Sequence, residues 1–255
     1  MISPLVEIRI LSEPPDVARF SCSVALELDP VSVHVWDFPL LGTDRTVNRF
    51  SALLSREEQT RAARFRFKRD RDRFTIARAT VRTILATYTG IGARTLHFEY
   101  SPHGKPFLAE SEIRFSVSHS REIGMLAVAR GREAGMDVEL VRKDVETGKL
   151  AERFFSPRER ASLRAIPDVD RVAAFFRCWT SKEAFLKAQG LGLSRSLDSF
   201  DVEVDPHRPA RVVATRPEAD EADNWSLYDI PAEPSYAAAL AVQGVIDTIT
   251  ILRRR

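Results

Sequence analysis

Apolar positions along the chain switch between two periods, and the switch happens twice. At helical spacing, Phe74, Ala77, Val81, Ile84 and Tyr88 fall on one stripe, while Phe175, Trp179, Phe185 and Leu186 mark a second buried face. Each helical segment opens on a Ser with a Glu three residues on, Ser55-Arg-Glu-Glu58 and Ser156-Pro-Arg-Glu159. That is the pattern of a capping box. Each segment closes on a Gly-x-Gly, Gly90-Ile-Gly92 and Gly190-Leu-Gly192. Strand-like apolar runs stand before the helical segments, at 31–36 and 135–141, and after them, at 125–129 and 237–242. Between helix and strand, Phe98-Glu-Tyr-Ser-Pro-His103-Gly-Lys-Pro106 is echoed by Phe200-Asp-Val-Glu-Val-Asp-Pro-His207-Arg-Pro209.

The repeat predicts an α/β (α+β) fold made by duplication, a pseudo-twofold pair of similar halves. The first half covers 31–132 and the second 133–255, joined at the Gly131-Arg-Glu-Ala-Gly135 turn, with residues 1–30 as an extension outside the repeat. The cleft between two such halves is the default place for a site.

Composition narrows the class. With 255 residues, 44% hydrophobic and 29% charged, the chain can bury a full core. No apolar run approaches the roughly 20 residues of a membrane span. The start carries Glu13-Pro-Pro-Asp16 where a signal peptide needs an apolar stretch. Cys22 and Cys178 make neither a disulfide framework nor a zinc site. A globular, cytoplasmic protein without a membrane partner is expected. The net charge of +2 hides a local feature: from Arg56 to Arg82, ten Lys/Arg face four acids, an excess of +6. Such a stretch either seeks anions or forms a solvated helix face. Lysine is otherwise scarce, being confined to Lys68, Lys105, Lys143, Lys149, Lys182 and Lys187. Each of these hints at a place where a compact ammonium serves better than a guanidinium.

The candidate acids gather in the second half. On a strand, Asp137 and Glu139 of Met136-Asp-Val-Glu-Leu140 face the same way, and two acids on one face call for a cation or a proton between them. Asp201-Val-Glu203 has the same spelling, but in strict alternation it reads as an ordinary half-exposed strand. On a helix, Glu183 and Lys187 share a face one turn apart; a surface ion pair is the plain reading, and the apolar neighbours Phe175, Phe176, Phe185 and Leu186 argue for a buried helix instead. Phe115-Ser-Val-Ser118-His119-Ser120 is no Ser–His couple, because adjacent strand residues point to opposite faces. It is expected to hold a phosphate. Gly104-Lys105-Pro106 reads as a rigid turn presenting an ammonium.

Taken in order, Gly104-Lys-Pro106, Phe115-Ser-Val-Ser-His-Ser120, Gly135-Met-Asp-Val-Glu139, Phe154-Phe-Ser-Pro-Arg-Glu159 and Trp179-Thr-Ser-Lys-Glu-Ala-Phe-Leu-Lys187 resemble the 4′-phosphopantetheinyl transferases of the surfactin-synthetase-activating type. The resemblance runs from about residue 31 into the C-terminal region and includes Arg73. It implies a monomeric pseudo-dimer that moves the phosphopantetheine arm of coenzyme A to a serine of an acyl or peptidyl carrier protein, releasing 3′,5′-ADP. It further implies Mg²⁺ held by Asp137, Glu139 and Glu183, with Glu183 and Lys187 catalytic. Arg61, Arg73, Lys105, Ser118, His119 and Lys182 would hold the nucleotide and its phosphates. The sequence departs from the family at Ser116, where Asn is frequent, and at Phe74, where a small hydroxyl residue can stand; Met136 is expected only to pack.

Two rival readings use the same residues. A Mg²⁺-dependent nucleotide pyrophosphate hydrolase would employ the same three carboxylates and turn over coenzyme A without an acceptor. A nucleic-acid-binding module would rest on the Arg56–Arg82 stretch, but Phe65 and Phe67 are its only candidates for base stacking. No nucleic-acid partner is expected.

Overall fold

The computed structural model describes residues 6–11, 26–217 and 219–253. Cys22 and most of the 1–30 extension lie outside them. The elements follow as β1 (Glu7–Leu11), β2 (Ser32–Pro39), α1 (Asp44–Ser51), α2 (Arg56–Ala63), α3 (Lys68–Thr89), β3 (Glu99–Tyr100), β4 (Pro106–Phe107), β5 (Ile113–Ser120), β6 (Ile123–Arg130), β7 (Ala134–Leu140), α4 (Thr147–Phe154), α5 (Pro157–Ala165), α6 (Asp168–Gln189), β8 (Phe200–Val202), β9 (Val212–Thr215), β10 (Trp225–Asp229), β11 (Tyr236–Gln243) and β12 (Thr248–Arg253).

The duplication is visible in the sheets. In the first half the antiparallel order is β2-β6-β5; in the second it is β7-β11-β10, the same path through three corresponding strands. Strand alternation then decides what each face meets. Val33, Val35, Met125, Ala127, Met136, Val138, Leu240 and Val242 point between the two sheets and form a shared core. Trp36, Phe38, Leu126 and Val128 point the other way, onto α3, and Ala239 and Ala241 onto α6. The layers are therefore helix, sheet, sheet, helix.

Both helical segments begin as the sequence indicates. Ser55 accepts from the Glu58 amide while Glu58 accepts from the Ser55 amide, and Ser156 and Glu159 repeat the arrangement. α3 and α6 each end at a glycine with φ of +69°, Gly90 and Gly190, a left-handed turn that a side chain would strain.

Two boundaries need correction. The C-terminal strand β12, assigned by sequence to the second half, pairs in parallel with β2 and belongs to the first sheet. The extension is not wholly outside the fold either, because β1 pairs with β12 at that sheet's edge. Parallel partners this far apart in sequence leave no local signal.

Candidate active site

The site forms where the second-half helix lies closest to its sheet. Gly135 on β7 makes this possible: a Cβ there would stand 2.0 Å from the Ala184 carbonyl and 2.2 Å from the Ala188 amide. With only hydrogen at that position, and alanines on β11, the α6 backbone rests directly on the strand. Asp137 and Glu139, two and four residues on, then face Glu183 and Lys187 of α6.

The neighbouring edge of the first sheet completes the cluster. Ser116, Ser118 and Ser120 alternate along β5 and all meet β7. Ser116 Oγ accepts from the Met136 amide at 3.0 Å, and Ser120 Oγ accepts from the Leu140 amide at 3.1 Å. Ser118 Oγ donates to Asp137 Oδ1 at 2.7 Å, and Ser120 Oγ donates to Glu139 Oε2 at 2.8 Å. This row of hydroxyls stitches the two halves together without a shared backbone ladder. The serine-rich segment is expected from sequence to hold a phosphate; instead Ser116 and Ser120 bond to β7, and the period-two spacing of the three serines is the signal of that shared face.

Electrostatics in the cleft are poised for a cation. Lys187 Nζ bonds Asp137 Oδ1 at 2.7 Å and Ser118 Oγ at 2.9 Å. Asp137 Oδ2 is buried without any hydrogen-bond partner. Burial, and then the Asp137 charge, pushes the Glu183 carboxyl above the usual range, with Glu139 adding to it and Lys187 opposing. Glu139 is raised as well, chiefly by burial, with the Ser120 bond opposing and Asp137 reinforcing. Three acids thus repel one another across the cleft and one ammonium offsets them. Among the described residues no three carboxylate, imidazole or thiol groups are already drawn into a set that would hold a metal ion. The donors nevertheless fit a hard cation: all are carboxylate oxygens, and the orphaned Oδ2 of Asp137 lacks a positive partner.

Above the cleft, His119 sits at the exposed end of β5. Partial desolvation, then the Lys187 ammonium, with Arg73 in the same direction, keeps its imidazole below the ordinary value. Arg73 of α3 reaches Glu122 only at 3.8 Å, and its Nε is buried without a partner. Arg61 lies farther along, its guanidinium 5.3 Å from the Phe74 ring centre, in a cavity of about 460 Å³ that Arg78 and Tyr100 also line.

Comparison with known proteins now adds the family. Residues 133–241 match the family model described as the 4′-phosphopantetheinyl transferase superfamily, and residues 42–130 match that of the 4′-phosphopantetheinyl transferase N-terminal region. The chain is 38% identical to the 4′-phosphopantetheinyl transferase HetI of Nostoc sp., across 92% of this chain and 93% of that protein. It is also 28% identical to the 4′-phosphopantetheinyl transferase Sfp of Bacillus subtilis, across 75% and 83% of the two chains. The chain belongs to the 4′-phosphopantetheinyl transferase superfamily.

Within this transferase, three residues expected to hold nucleotide are placed otherwise. Lys182 is fully buried, 0% exposed, with Nζ 2.5 Å from Glu159 Oε1 and 2.7 Å from the Phe200 carbonyl; it ties α5 and β8 to α6 and has no route to a phosphate. Lys105 donates to Glu133, Ala134 and Ala188, which takes up all three ammonium protons. Ser118 has its hydroxyl turned inward to Asp137 and Lys187. The second acid pair also differs from expectation. Asp201 and Glu203 are buried, not half-exposed, because Arg216 forks onto Asp201 with two 3.1 Å contacts and Arg211 lies 3.6 Å from Glu203. No helix among the described residues is long and apolar enough to cross a membrane.

Proposed function

We propose that the cleft between β7 and α6 transfers the 4′-phosphopantetheine arm of coenzyme A to a serine of an acyl or peptidyl carrier protein, and that Mg²⁺ binds at Asp137, Glu139 and Glu183. The observation that carries the metal assignment is the buried, unpartnered Asp137 Oδ2 beside two carboxyls whose affinity for protons is raised. A bound Mg²⁺ supplies charge neutralisation to the pyrophosphate of coenzyme A.

The chain's own groups account for the rest. Glu183, with its raised pKa, is suited to accept the proton of the attacking serine hydroxyl. The serine oxygen forms a bond to the phosphorus that bears the pantetheine arm. The bond from that phosphorus to the bridging oxygen breaks, and 3′,5′-ADP departs. Lys187 is held over Asp137 and Ser118, so its ammonium is in place to offset charge on the phosphates as it develops. Arg73 and Arg61 supply cationic groups along the first-half rim suited to the nucleotide phosphates, with His119 as a neutral hydrogen-bonding group. The reading also places a monomeric enzyme in the cytoplasm.

Intact-mass measurement of apo carrier proteins, incubated with the enzyme, coenzyme A and Mg²⁺, tests it. Addition of one phosphopantetheine arm is the expected result. Loss of coenzyme A with no acceptor modified would instead support a pyrophosphate hydrolase.

A further inference from the structure

The turn that carries Lys105 belongs to the first half, yet its ammonium lies against the second. Lys105 Nζ is 2.6 Å from Glu133 Oε2, 3.2 Å from the Ala134 carbonyl and 2.9 Å from the Ala188 carbonyl. Glu133 and Ala134 stand at the start of β7, and Ala188 lies in the last turn of α6. The last carbonyls of a helix have no partner within it and carry the negative end of the helix dipole, so a cation there is favoured twice over. The stem packs at the same spot: a Cβ on Gly190, the residue that ends α6, would lie 3.3 Å from Lys105 Cδ. One side chain therefore grips the end of α6 and the start of β7 together. These are the two elements that carry Glu183 and Lys187 on one side and Asp137 and Glu139 on the other. The Gly135 contact leaves no slack between them.

Building on the transfer reading above, we propose that Lys105 is a positioning residue: it clamps α6 to β7 across the two halves and so sets the register of the catalytic carboxylates and Lys187. It does not ligate the nucleotide.

The test compares Lys105→Met, which keeps the stem and removes the ammonium, with the wild-type enzyme and with Lys105→Arg. Calorimetric affinity for 3′,5′-ADP stays unchanged in Lys105→Met, while single-turnover transfer at saturating coenzyme A falls roughly tenfold to a hundredfold. Amide exchange across residues 184–190 of the free protein quickens. Lys105→Arg, still able to donate to the carbonyls, recovers most of the rate. A clear loss of 3′,5′-ADP affinity in Lys105→Met overturns the proposal in favour of a phosphate ligand. A wild-type transfer rate overturns it as well, reducing the cluster to a surface ion pair. Should Lys105→Met fail to fold, Glu133→Leu removes one acceptor and leaves both carbonyls. It is expected to slow transfer severalfold at unchanged 3′,5′-ADP affinity, and wild-type transfer there overturns the clamp. The exchange measurement needs no substrate, so it tests the clamp even if the wild-type enzyme modifies no carrier; that failure would count against the transfer reading alone.

Discussion

The two halves share a frame and differ in what fills it. α3 and α6 are both 22 residues long, both end on a left-handed glycine, and both are tied to a capping-box glutamate. Glu58 meets Arg78 and Arg82 at 2.6 Å each, and Glu159 meets Lys182 at 2.5 Å. The faces beneath them diverge. Under α3 lie Trp36, Phe38, Leu126 and Val128; under α6 lie Gly135, Ala239 and Ala241. Large side chains lie between α3 and its sheet, and Tyr88 among them accepts from Trp36 Nε1 at 2.7 Å and shares a 2.8 Å hydrogen bond with His34 Nδ1. Where α6 presents Glu183 and Lys187, α3 has Thr83 and Thr87 at the same positions, each bonded back to its own helix. A duplicated scaffold gives stability to both halves. The proposed chemistry falls in the one where small residues let a helix backbone reach a strand that carries acids.

Breaking the shared frame should give the largest effect. Lys182→Ala would leave Glu159 buried and unpaired, at a cost of roughly 3–5 kcal/mol. Arg82→Ala should destabilise the first half less, because Arg78 still pairs with Glu58 at 2.6 Å. Thermal melting checks both, and affinity for coenzyme A of the folded fraction should be unchanged in Lys182→Ala. Weakened binding without a lower melting temperature would restore Lys182 as a ligand.

Breaking the chemistry of the second half comes next. Lys187→Ala should slow single-turnover transfer roughly a hundredfold or more, equivalent to about 3 kcal/mol of electrostatic stabilisation. Thr87→Ala, its counterpart in α3, should leave the rate at wild type. Gly135→Ala sharpens the structural side of the contrast. Its new methyl meets backbone that cannot yield, so a loss of about 1–3 kcal/mol in stability should come with a fall in transfer at unchanged 3′,5′-ADP affinity.

The smallest effect belongs to the filled space of the first half. His34 Nδ1 shares a hydrogen bond with the Tyr88 hydroxyl, and burial lowers the His34 pKa from 6.5 to about 4. Between these values the unfolded chain takes up a proton that the native state refuses. Stability is therefore complete above pH 6.5 and declines as pH falls toward 4, by no more than about 2 kcal/mol at pH 5. His34→Gln should flatten that decline in denaturant titrations at the two pH values; an unchanged slope would mean that His34 does not titrate as described.

Much of this contrast was legible in the sequence. Two capping boxes, two Gly-x-Gly endings and four apolar runs located the repeated elements, because each is a local signal. The convergence of Asp137 with Glu139 followed from the strand period, and that of Glu183 with Lys187 from the helix period. What escaped depends on partners distant in the chain. Lys105 and Lys182 read as free cations because their acceptors, Glu133 and Glu159, lie 28 and 23 residues away. Asp201 looked like a surface acid because Arg216 comes from the next strand's end. The move of β12 to the first sheet left no trace in its own apolar alternation, which suits either sheet.

The account stands on Asp137, and two acids with the same local spelling provide the comparison. Single-turnover transfer to an apo carrier protein, read by intact mass, should be measured for Asp137→Asn and Asp201→Asn at equal folded concentration. Asp137→Asn should lose transfer by orders of magnitude while its fold survives. Asp201→Asn, which only weakens the fork with Arg216, should transfer at the wild-type rate per folded molecule. Wild-type transfer by Asp137→Asn, or equal losses in both variants, would contradict the assignment of the cleft between β7 and α6 as the catalytic site.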